Sequence, residues 1–448
     1  MLNIKTKRFL YRVLINTTCK KTGCFSVTGA RKVGKTILFL QLDEYFAEKS
    51  DYFDCTTLMT DETFDFEQYY KKAVEAGRKI LFLDEVCKIN DYYLADFIKY
   101  TKIYSANLCI MLTGSVATIV KKRMNEIGRG NNYQLPPFLY IEKLCWENGY
   151  EEIDLNAIRS LTTDARFKEY LKSQMMSSME LLGYMQGVVE DTIDSYSERT
   201  FLEDNERPDD ITLMNALKYI ALCQFVYKKK SGEYVVIPSI EKKIRDIIFD
   251  DYKTAKAKWG LTNTDIESVV NLLLGCNLAR KVIYYRGNLI KIEELKIVDE
   301  NVPDIIFEYP WYCSVCFDSV IQESDAIMDQ WVEYAVLIRA SYIYQYVNKF
   351  RSSDDAEFDV LYMTDKYYGV EVKNKPYGNN SGAYIQRLKE IADNIGLTGH
   401  IISSSDEVYR NDKIISCMEL EYIDLLMHEE LHSKLDICKL MDKYGFVK

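Results

Sequence analysis

The sequence contains little proline, no internal repeat and no long apolar run. Only 7 of its 448 residues are proline, and no low-complexity tract interrupts a composition with 48% hydrophobic residues. Such a composition is typical of an ordered globular protein, and the length favours two or three domains. No apolar run is long enough to cross a bilayer, and Arg8 and Arg12 interrupt any signal-peptide core. We therefore expect a cytoplasmic protein without a membrane partner.

Positive charge and histidine are also scarce. A formal net charge of −11 argues against an indiscriminate coating of nucleic acid, since phosphate binding rests on Lys and Arg, although local basic clusters remain compatible with it. Two of the 3 histidines lie in "HEELH" (428–432), a zinc-protease pattern, but too little chain follows to supply a third ligand. "CSVC" (313–316) is a single CxxC without a second half, and the 12 cysteines are scattered. Neither a zinc site nor a disulfide framework is expected.

The first strong motif is "GARKVGKT" (29–36), which fits the pattern GxxxxGK[ST]. It follows the apolar strand "CFSVTG" and precedes an amphipathic helix, the setting that a phosphate-binding loop requires. Gly29 and Gly34 let backbone N–H groups close around phosphates, and the helix N-terminus adds a favourable dipole. Lys35 is expected to reach the β- and γ-phosphates, and the Thr36 hydroxyl to coordinate Mg²⁺. The sequence therefore predicts an ATP-binding domain.

Two further apolar strands end in polar residues. "KILFLDEV" ends with Asp84, which suits the Mg²⁺ shell, and Glu85, which is placed to polarise an attacking water. "NLCIMLTGS" ends with Thr113 and Ser115, which should face the γ-phosphate because ligands of doubly wound sheets bind at strand carboxyl ends. Strands alternating with helices predict a parallel α/β sheet within residues 1–150, and the acidic pair predicts hydrolysis as well as binding.

The middle of the chain is predicted to be helical and then to form a helix–hairpin module. Helical spacing predicts a lid or linker over 151–207, closed by the acidic, proline-containing "EDNERPDD". Over 208–300, the stretch "LTNTDIESVVNLLLGCNLARKVIYYRGNLIKI" indicates a helix and a hairpin that turns at "YYRGNL", the shape of a winged helix. Its would-be recognition helix carries Asp265 and Glu267 and no basic residue. We expect a structural or protein-contact role rather than sequence-specific DNA reading, although basic hairpin residues could contact a DNA backbone.

Residues 301–448 are predicted to form an α/β domain that carries a carboxylate site. "EFDVLYM" and "YGVEVKNK" alternate apolar and polar residues, as neighbouring strands of a hairpin do. Asp359 falls on the first strand, and Glu371 and Lys373 share one face of the second. A helix that presents Glu333 precedes them, and a helix and an apolar strand follow.

These carboxylates offer hard oxygen ligands, which suit Mg²⁺ or Mn²⁺ rather than zinc. Asp359 and Glu371 would hold one or two ions that polarise a scissile phosphate and acidify a water. Lys373 would orient that water and stabilise the developing negative charge. Two alternatives stay open: a solvated strand that alternates charged and apolar residues, and a nuclease-like domain that docks without cutting.

Two resemblances follow from these motifs. "GARKVGKT", "LFLDEV", "LTGS" and "GRGNNYQLPPF" together resemble the bacterial and archaeal AAA-type P-loop ATPases that carry a C-terminal restriction-endonuclease-like domain. The pattern E…D…ExK on helix–strand–strand–helix–strand resembles the PD-(D/E)xK nuclease superfamily. The first resemblance implies that Arg129 senses or stabilises the γ-phosphate, in cis or across a subunit contact; the alternative is a surface residue at a basic helix end. The second resemblance implies that Glu333 completes the metal shell. The chain departs from the first family at Lys32, where that family more often has a neutral polar residue.

The resemblance implies an ATPase that gates a Mg²⁺-dependent DNA nuclease, in DNA processing or in defence against foreign DNA. Self-association through the ATPase domain would be compatible with it. The alternative belongs to another class, an ATP-switched interaction protein whose nuclease-like domain binds DNA or a partner without cleavage. The two functions share ATP hydrolysis and differ in what the carboxylate site of residues 301–448 does.

Overall fold

The structure is a computed structural model of the 448-residue chain. It describes residues 6–8, 10–59, 63–128, 130–152, 157, 161, 164–174, 176–193, 208–236, 242–288, 291–307, 332–335, 337–338, 341, 347–352, 357–363, 367–373, 383, 386–387, 389–390, 393, 397–403 and 414–416. Three sequence predictions lie outside the described residues: the role of Arg129 and the exclusion of metal sites at 313–316 and 428–432.

The N-terminal part of the chain builds a five-stranded sheet in the order β2-β3-β4-β1-β5, with every neighbouring pair parallel. The strands are β1 (Gly23–Thr28), β2 (Ser50–Asp54), β3 (Ile80–Asp84), β4 (Cys109–Thr113) and β5 (Asn132–Gln134). Parallel neighbours need crossover connections, which are helical here. The helices are α1 (Tyr11–Lys20), α2 (Lys35–Phe46), α3 (Phe66–Glu75), α4 (Asp91–Tyr104), α5 (Ala117–Ile127) and α6 (Tyr140–Glu147). The predicted parallel α/β sheet is confirmed.

Both faces of this sheet are buried, as continuous apolar strands require. All residues of β3 and β4 are buried. Leu81 and Leu83 of β3 belong to one hydrophobic cluster with residues of α3 and α4. Ile80 and Phe82 belong to a second, larger cluster that continues into the middle and terminal parts of the chain. Among the described residues, the alternation of side chains along a strand thus divides the sheet into a face that packs within the N-terminal part and a face that joins the rest of the chain.

The predicted lid is helical in the residues that the structure describes, with α7 (Asp164–Ser173) and α8 (Ser178–Ile193). Buried apolar residues of α8 recur with the three- and four-residue spacing of one helix face: Leu181, Tyr184, Met185, Val188 and Val189. All five belong to the larger hydrophobic cluster, together with strand β1 of the first sheet. This stripe is the face that α8 buries within the cluster.

The middle module consists of three helices and short strands. The helices are α9 (Asp210–Cys223), α10 (Lys242–Lys258) and α11 (Asn263–Gly275), and the strands are β6 (Val226–Lys228), β7 (Tyr234–Val236), β8 (Ala279–Lys281), β9 (Tyr284–Asn288), β10 (Lys291–Ile297) and β11 (Ile305–Phe307). Thr262 is the N-cap of α11 and forms a capping box with Asp265. The turn is shifted, however: Asn288 pairs with Lys291, so "YRGN" is strand and the chain reverses just after it. Cross-strand pairing, invisible to a local turn pattern, decides this position.

The terminal strands are β12 (Val347–Ser352), β13 (Glu357–Met363), β14 (Tyr367–Lys373), β15 (Leu397–Ser403) and β16 (Ile414–Ser416). β12, β13 and β14 are antiparallel neighbours, and β15 is parallel to β14. Helical residues occur between 332 and 341 and between 383 and 393, where helices were predicted. The strand β12 was not predicted. It pairs with β9 of the middle module, so one nine-stranded sheet passes the proposed domain boundary at residue 300.

None of the described helices is long and apolar enough to span a membrane.

Candidate nucleotide-binding site

The loop between β1 and α2 needs glycine at the two predicted positions. Gly34 is the N-cap of α2 and has φ +89°, a backbone conformation that other residues adopt at a cost. At Gly29, a Cβ would lie 2.5 Å from the carbonyl oxygen of Leu135, which leaves no room for a side chain. Both glycines therefore shape a loop that opens at the start of α2, where the helix dipole favours anions.

Lys35 lies at the first position of α2 and is almost completely buried, with 6% exposure. Its ammonium group donates to the carbonyl oxygens of Gly29, at 3.2 Å, and Ala30, at 2.9 Å. Burial lowers the pKa of Lys35, and the nearby carboxylates of Glu85 and Asp84 oppose that shift. The cation is thus held by its own loop and faces the acidic end of β3.

Asp84 lies at the end of β3 and is buried. It accepts hydrogen bonds from the Tyr52 hydroxyl at 2.8 Å and from the Glu85 N–H at 2.9 Å, and the Thr36 hydroxyl also bonds it. Burial raises the pKa of Asp84, and the hydrogen bond from Thr36 opposes the rise. Thr36 and Asp84 therefore lie close together, and their binding of Mg²⁺ stays a prediction. Tyr52 was missed, because nothing local marks a tyrosine of β2 as a partner of Asp84.

The Thr36–Asp84 pair fits Mg²⁺, which commonly takes one or two protein oxygens and completes its shell with phosphate and water. Within the described part of the chain, no group of three or more His, Cys, Asp or Glu is arranged to hold a metal ion. A cation here would depend on the nucleotide for its remaining ligands, which is the usual arrangement in phosphoryl-transfer sites.

Glu85 follows Asp84 in a left-handed conformation, with φ +51°. Its carboxylate accepts a hydrogen bond from the backbone N–H of Ser115 at 2.9 Å, and the Cys87 thiol donates to it at 3.3 Å. The tip of β3 is therefore tied to the loop after β4. The hydroxyl of Thr113 is buried there and has no hydrogen-bond partner among the described residues.

Two side chains far away in the sequence also reach the loop, and sequence reasoning missed both. The guanidinium of Arg8 pairs with Glu142 at 2.9 Å and donates to the carbonyl oxygens of Val33 and Pro136. Asp191, in α8, pairs with Arg31 of the loop at 2.8 Å. Contacts across such sequence distances leave no local pattern.

The terminal carboxylates lie close in the sheet. Val360 pairs with Val370 across β13 and β14, and the buried residues Asp359 and Glu371 come next to them on the two strands. Glu333 is half-buried on the helix that precedes β12. Lys373 ends β14, but its side chain lies outside the described part of the structure. Asp359, Glu371 and Glu333 do not form a three-acid metal group in the described residues.

A comparison with protein-family models finds one match, at residues 21–144, to a model described as an AAA domain (AAA_14). These residues contain the phosphate loop, Asp84, Glu85 and the whole five-stranded sheet. Residues 21–144 are thus an AAA-type P-loop ATPase domain.

Solved structures that share weak similarity include the PCH-2 protein of Caenorhabditis elegans, at 15% identity, with 59% of each chain covered and a TM-score of 0.23. A signal-transduction ATPase with numerous domains from Pyrococcus horikoshii, which has a tetratricopeptide repeat sensor, is 11% identical; 77% of this chain and 50% of that chain are covered, with a TM-score of 0.25. A DNA polymerase III gamma subunit-related protein from Thermotoga maritima is 14% identical; 59% of this chain and 97% of that chain are covered, with a TM-score of 0.22.

The present chain spans only 59% and 50% of the first two of these proteins. TM-scores this far below 0.5 carry no argument about a shared architecture. No curated protein matches the chain.

Proposed function

We propose that the protein binds and hydrolyses ATP at this loop and couples hydrolysis to a Mg²⁺-dependent DNA nuclease in its terminal domain. The observation that carries the ATP site is the buried ammonium of Lys35, which donates to the loop carbonyls of Gly29 and Ala30 beside the acidic end of β3. A hydroxyl, a carboxylate and a cation converge at the carboxyl end of the sheet, where ligands of parallel sheets bind.

Each residue has a distinct part in this proposal. The loop around Gly29 and Gly34 presents backbone N–H groups to the phosphates, and Lys35 leaves the loop carbonyls to reach the β- and γ-phosphates. Thr36 and Asp84 would hold Mg²⁺, which when bound offsets charge on the phosphate oxygens. Thr113 and Arg129 are proposed as contacts of the γ-phosphate. Arg129 would also allow self-association, by acting across a subunit contact.

Glu85 is the proposed residue that polarises the attacking water. Its carboxylate is occupied by the Ser115 N–H and the Cys87 thiol. Both contacts are to one carboxylate oxygen, Oε2, so they hold the side chain in place while Oε1 accepts a proton from water. The loop after β4 therefore positions the proposed base.

The nuclease proposal is supported by topology and by burial. Helical residues precede β12 and lie between β14 and β15; apart from the added strand β12, this is the order of helices and strands that the resemblance to the PD-(D/E)xK superfamily implies. Asp359 and Glu371 are 5% and 0% exposed on neighbouring strands. Burying two carboxylates is costly unless protons, hydrogen bonds or a cation offset the charge. Hard carboxylate oxygens fit Mg²⁺ or Mn²⁺, with Glu333 and Lys373 proposed to complete the site.

One observation favours the second candidate, an ATP-switched protein that binds DNA or a partner without cutting. In the described residues, Glu333 does not join Asp359 and Glu371 in a metal-holding group. The middle module also offers little to DNA: α11 carries no basic residue, and Arg280 of the hairpin region donates to the Ser341 carbonyl at 2.8 Å.

A cleavage assay separates the two candidates. Linear, circular, single-stranded and branched DNA would be incubated with Mg²⁺ or Mn²⁺, with and without ATP, using wild type, Asp359→Asn and Lys35→Ala. Asp393→Asn is the matched control, because it makes the same change at an exposed position of the terminal domain. Cleavage that Asp359→Asn abolishes and Asp393→Asn retains supports the nuclease, and its loss in Lys35→Ala establishes coupling. ATP hydrolysis without DNA cleavage by the wild-type protein would favour the second candidate.

A further inference from the structure

Asp191 of α8 is surrounded by cations of the ATPase domain. Its carboxylate lies 2.8 Å from the Nε of Arg31, within the phosphate loop, and 3.4 Å from the Nζ of Lys88. Lys88 follows Glu85 by three residues and is 9% exposed. Burial lowers the pKa of Lys35, and Asp191 is among the acids whose charge opposes that shift. One carboxylate from outside the ATPase domain therefore acts on three cations of the candidate site.

Further contacts attach α8 to the phosphate loop. The Tyr184 hydroxyl donates to the carbonyl oxygen of Arg31 at 3.0 Å. At Gly187, a Cβ would lie 1.6 Å from a guanidinium nitrogen of Arg31, so only glycine leaves room for that side chain. Tyr184, Gly187 and Asp191 share one face of α8, with helical spacings of three and four residues. Residues 184, 187 and 191 of α8 and Arg31 of the loop thus form a closely packed interface, here called the seam, rather than a single surface ion pair.

We propose that Asp191 occupies the place of a nucleotide phosphate and competes with ATP for Arg31 and Lys88. This inference rests on the proposed ATP site and adds two cations to it. A carboxylate and a phosphate present anionic oxygens to the same kinds of donor, and guanidinium binds both. ATP brings more negative charge than one carboxylate, so it can displace Asp191 and release α8 from the loop.

Release of α8 would also change contacts with the middle module. The hydroxyl of Thr192, the residue after Asp191, lies 3.5 Å from the thiol of Cys276, at the end of α11. The last residue of α11, Gly275, accepts a hydrogen bond at 2.8 Å from Thr118 of α5 in the ATPase domain. A helix that leaves the loop therefore changes contacts on the module that pairs with the terminal sheet.

The first test removes the competing charge. Binding of a fluorescent ATP analogue to the full chain would be measured in EDTA, which prevents hydrolysis, for wild type and Asp191→Asn. The dissociation constant should fall about tenfold in Asp191→Asn, the change expected when a contact holds a site closed nine-tenths of the time. Glu190→Gln makes the same charge change at the neighbouring, exposed position of α8 and should bind as wild type.

A second variant opens the seam without changing any charge. Gly187→Ala places a methyl group against the Arg31 guanidinium, whereas Gly183→Ala, one turn earlier on α8, meets nothing within 4 Å. Alanine favours helix over glycine, so neither change should prevent folding. Gly187→Ala should also bind the analogue several-fold more tightly, and Gly183→Ala should not. Equal affinities for these two variants, together with Asp191→Asn behaving like Glu190→Gln, would overturn the proposal.

Hydrogen exchange in wild type completes the test. Residues 178–193 should exchange faster when ATP is bound, and Lys35→Ala should abolish the change. Wild type that binds no analogue at all contradicts the proposed ATP site itself. Wild type that binds the analogue while α8 stays protected contradicts only the role of Asp191. Slower hydrolysis with unchanged affinity in Asp191→Asn would make Asp191 a positioning residue for Lys88 and would also overturn competition.

Discussion

At the scale of single residues, two adjacent carboxylates at the tip of β3 have different surroundings, which agrees with the different roles proposed for them. Asp84 is buried and accepts a hydrogen bond from Tyr52. Glu85 bends away in a left-handed conformation towards Ser115. Binding and hydrolysis should accordingly be separable by substitution.

Glu85→Gln should leave ATP affinity unchanged and slow hydrolysis by about 10²–10⁴, the usual contribution of a general base. Glutamine retains the shape and can still accept the hydrogen bond of the Ser115 N–H, so the fold of the tip should persist. The measurement is steady-state ATP hydrolysis beside analogue binding, with Glu75→Gln, an exposed position at the end of α3, as control. Undiminished turnover in Glu85→Gln would rule out its role as the base.

At the scale of elements, buried polar contacts decide how helices attach to the sheet. Arg8 and Glu142 have side chains that are 3% and 0% exposed, and their ion pair joins the N-terminal segment to α6 beneath the phosphate loop. Arg12 and Glu152 form a pair between nearby segments, but their side chains are 58% and 45% exposed. The two pairs allow the effect of burial to be compared directly.

Glu142→Gln should lower the free energy of unfolding by about 3–5 kcal/mol, because it leaves the Arg8 charge buried and uncompensated. Glu152→Gln should change it by less than about 1 kcal/mol, since water screens an exposed pair. Urea unfolding of both variants measures the difference. Similar losses in the two variants would show that burial of the Arg8–Glu142 pair is energetically unimportant.

Asp299 joins helices of the middle module and should make its stability depend on pH. Burial alone would raise the pKa of Asp299, but hydrogen bonds from Asn301, Lys256 and Tyr219 hold it below its usual value. A carboxyl group whose pKa is depressed in the folded state stabilises the protein above its pKa in the unfolded chain, about 4. This stabilisation is lost as the pH falls through the lower pKa of the folded state. Wild type should therefore lose stability below about pH 4 more steeply than Asp299→Asn. Chemical denaturation would measure the free energy of unfolding of both proteins between neutral and acidic pH. Parallel curves of this free energy against pH would contradict the prediction.

At the scale of the whole molecule, the parts are connected more closely than a chain of separate domains. The larger hydrophobic cluster contains residues of the ATPase sheet, α8, α9, α11 and the terminal strand β13. The nine-stranded sheet crosses residue 300 through the pairing of β9 with β12. The coupling proposed above would therefore have a continuous packed route between these parts.

Truncation near residue 300 tests whether the proposed domain boundary lies there. A chain ending at residue 300 loses β11, whose residues Ile305, Ile306 and Phe307 are each 1% exposed and pair with β8. A chain ending at residue 307 keeps them and should be more stable by several kcal/mol, given about 1.5–3 kcal/mol for each buried large apolar side chain. Thermal unfolding of the two chains gives the comparison. Equal midpoints would mean that residue 300 is an adequate boundary.

The ATPase domain could be predicted from the sequence because its evidence is local. "GARKVGKT" lies between a strand and a helix, the glycine at 34 is required by a positive φ, and Asp84 ends an apolar strand. Each of these signals lies within a few residues of the chain, so that periodicity and residue type are enough.

Only the tertiary structure decided which distant side chains reach that loop and how the later strands join. Arg8, Tyr52 and Asp191 contact the site across long separations in sequence, and β12 joins β9 by backbone hydrogen bonds that carry no side-chain signature. Ion pairs and strand pairing between distant segments depend on the packing of the whole chain, whereas a phosphate loop depends on its own residues. For this reason the sequence by itself determined the ATPase motif, and the folded chain determined what surrounds and restrains it.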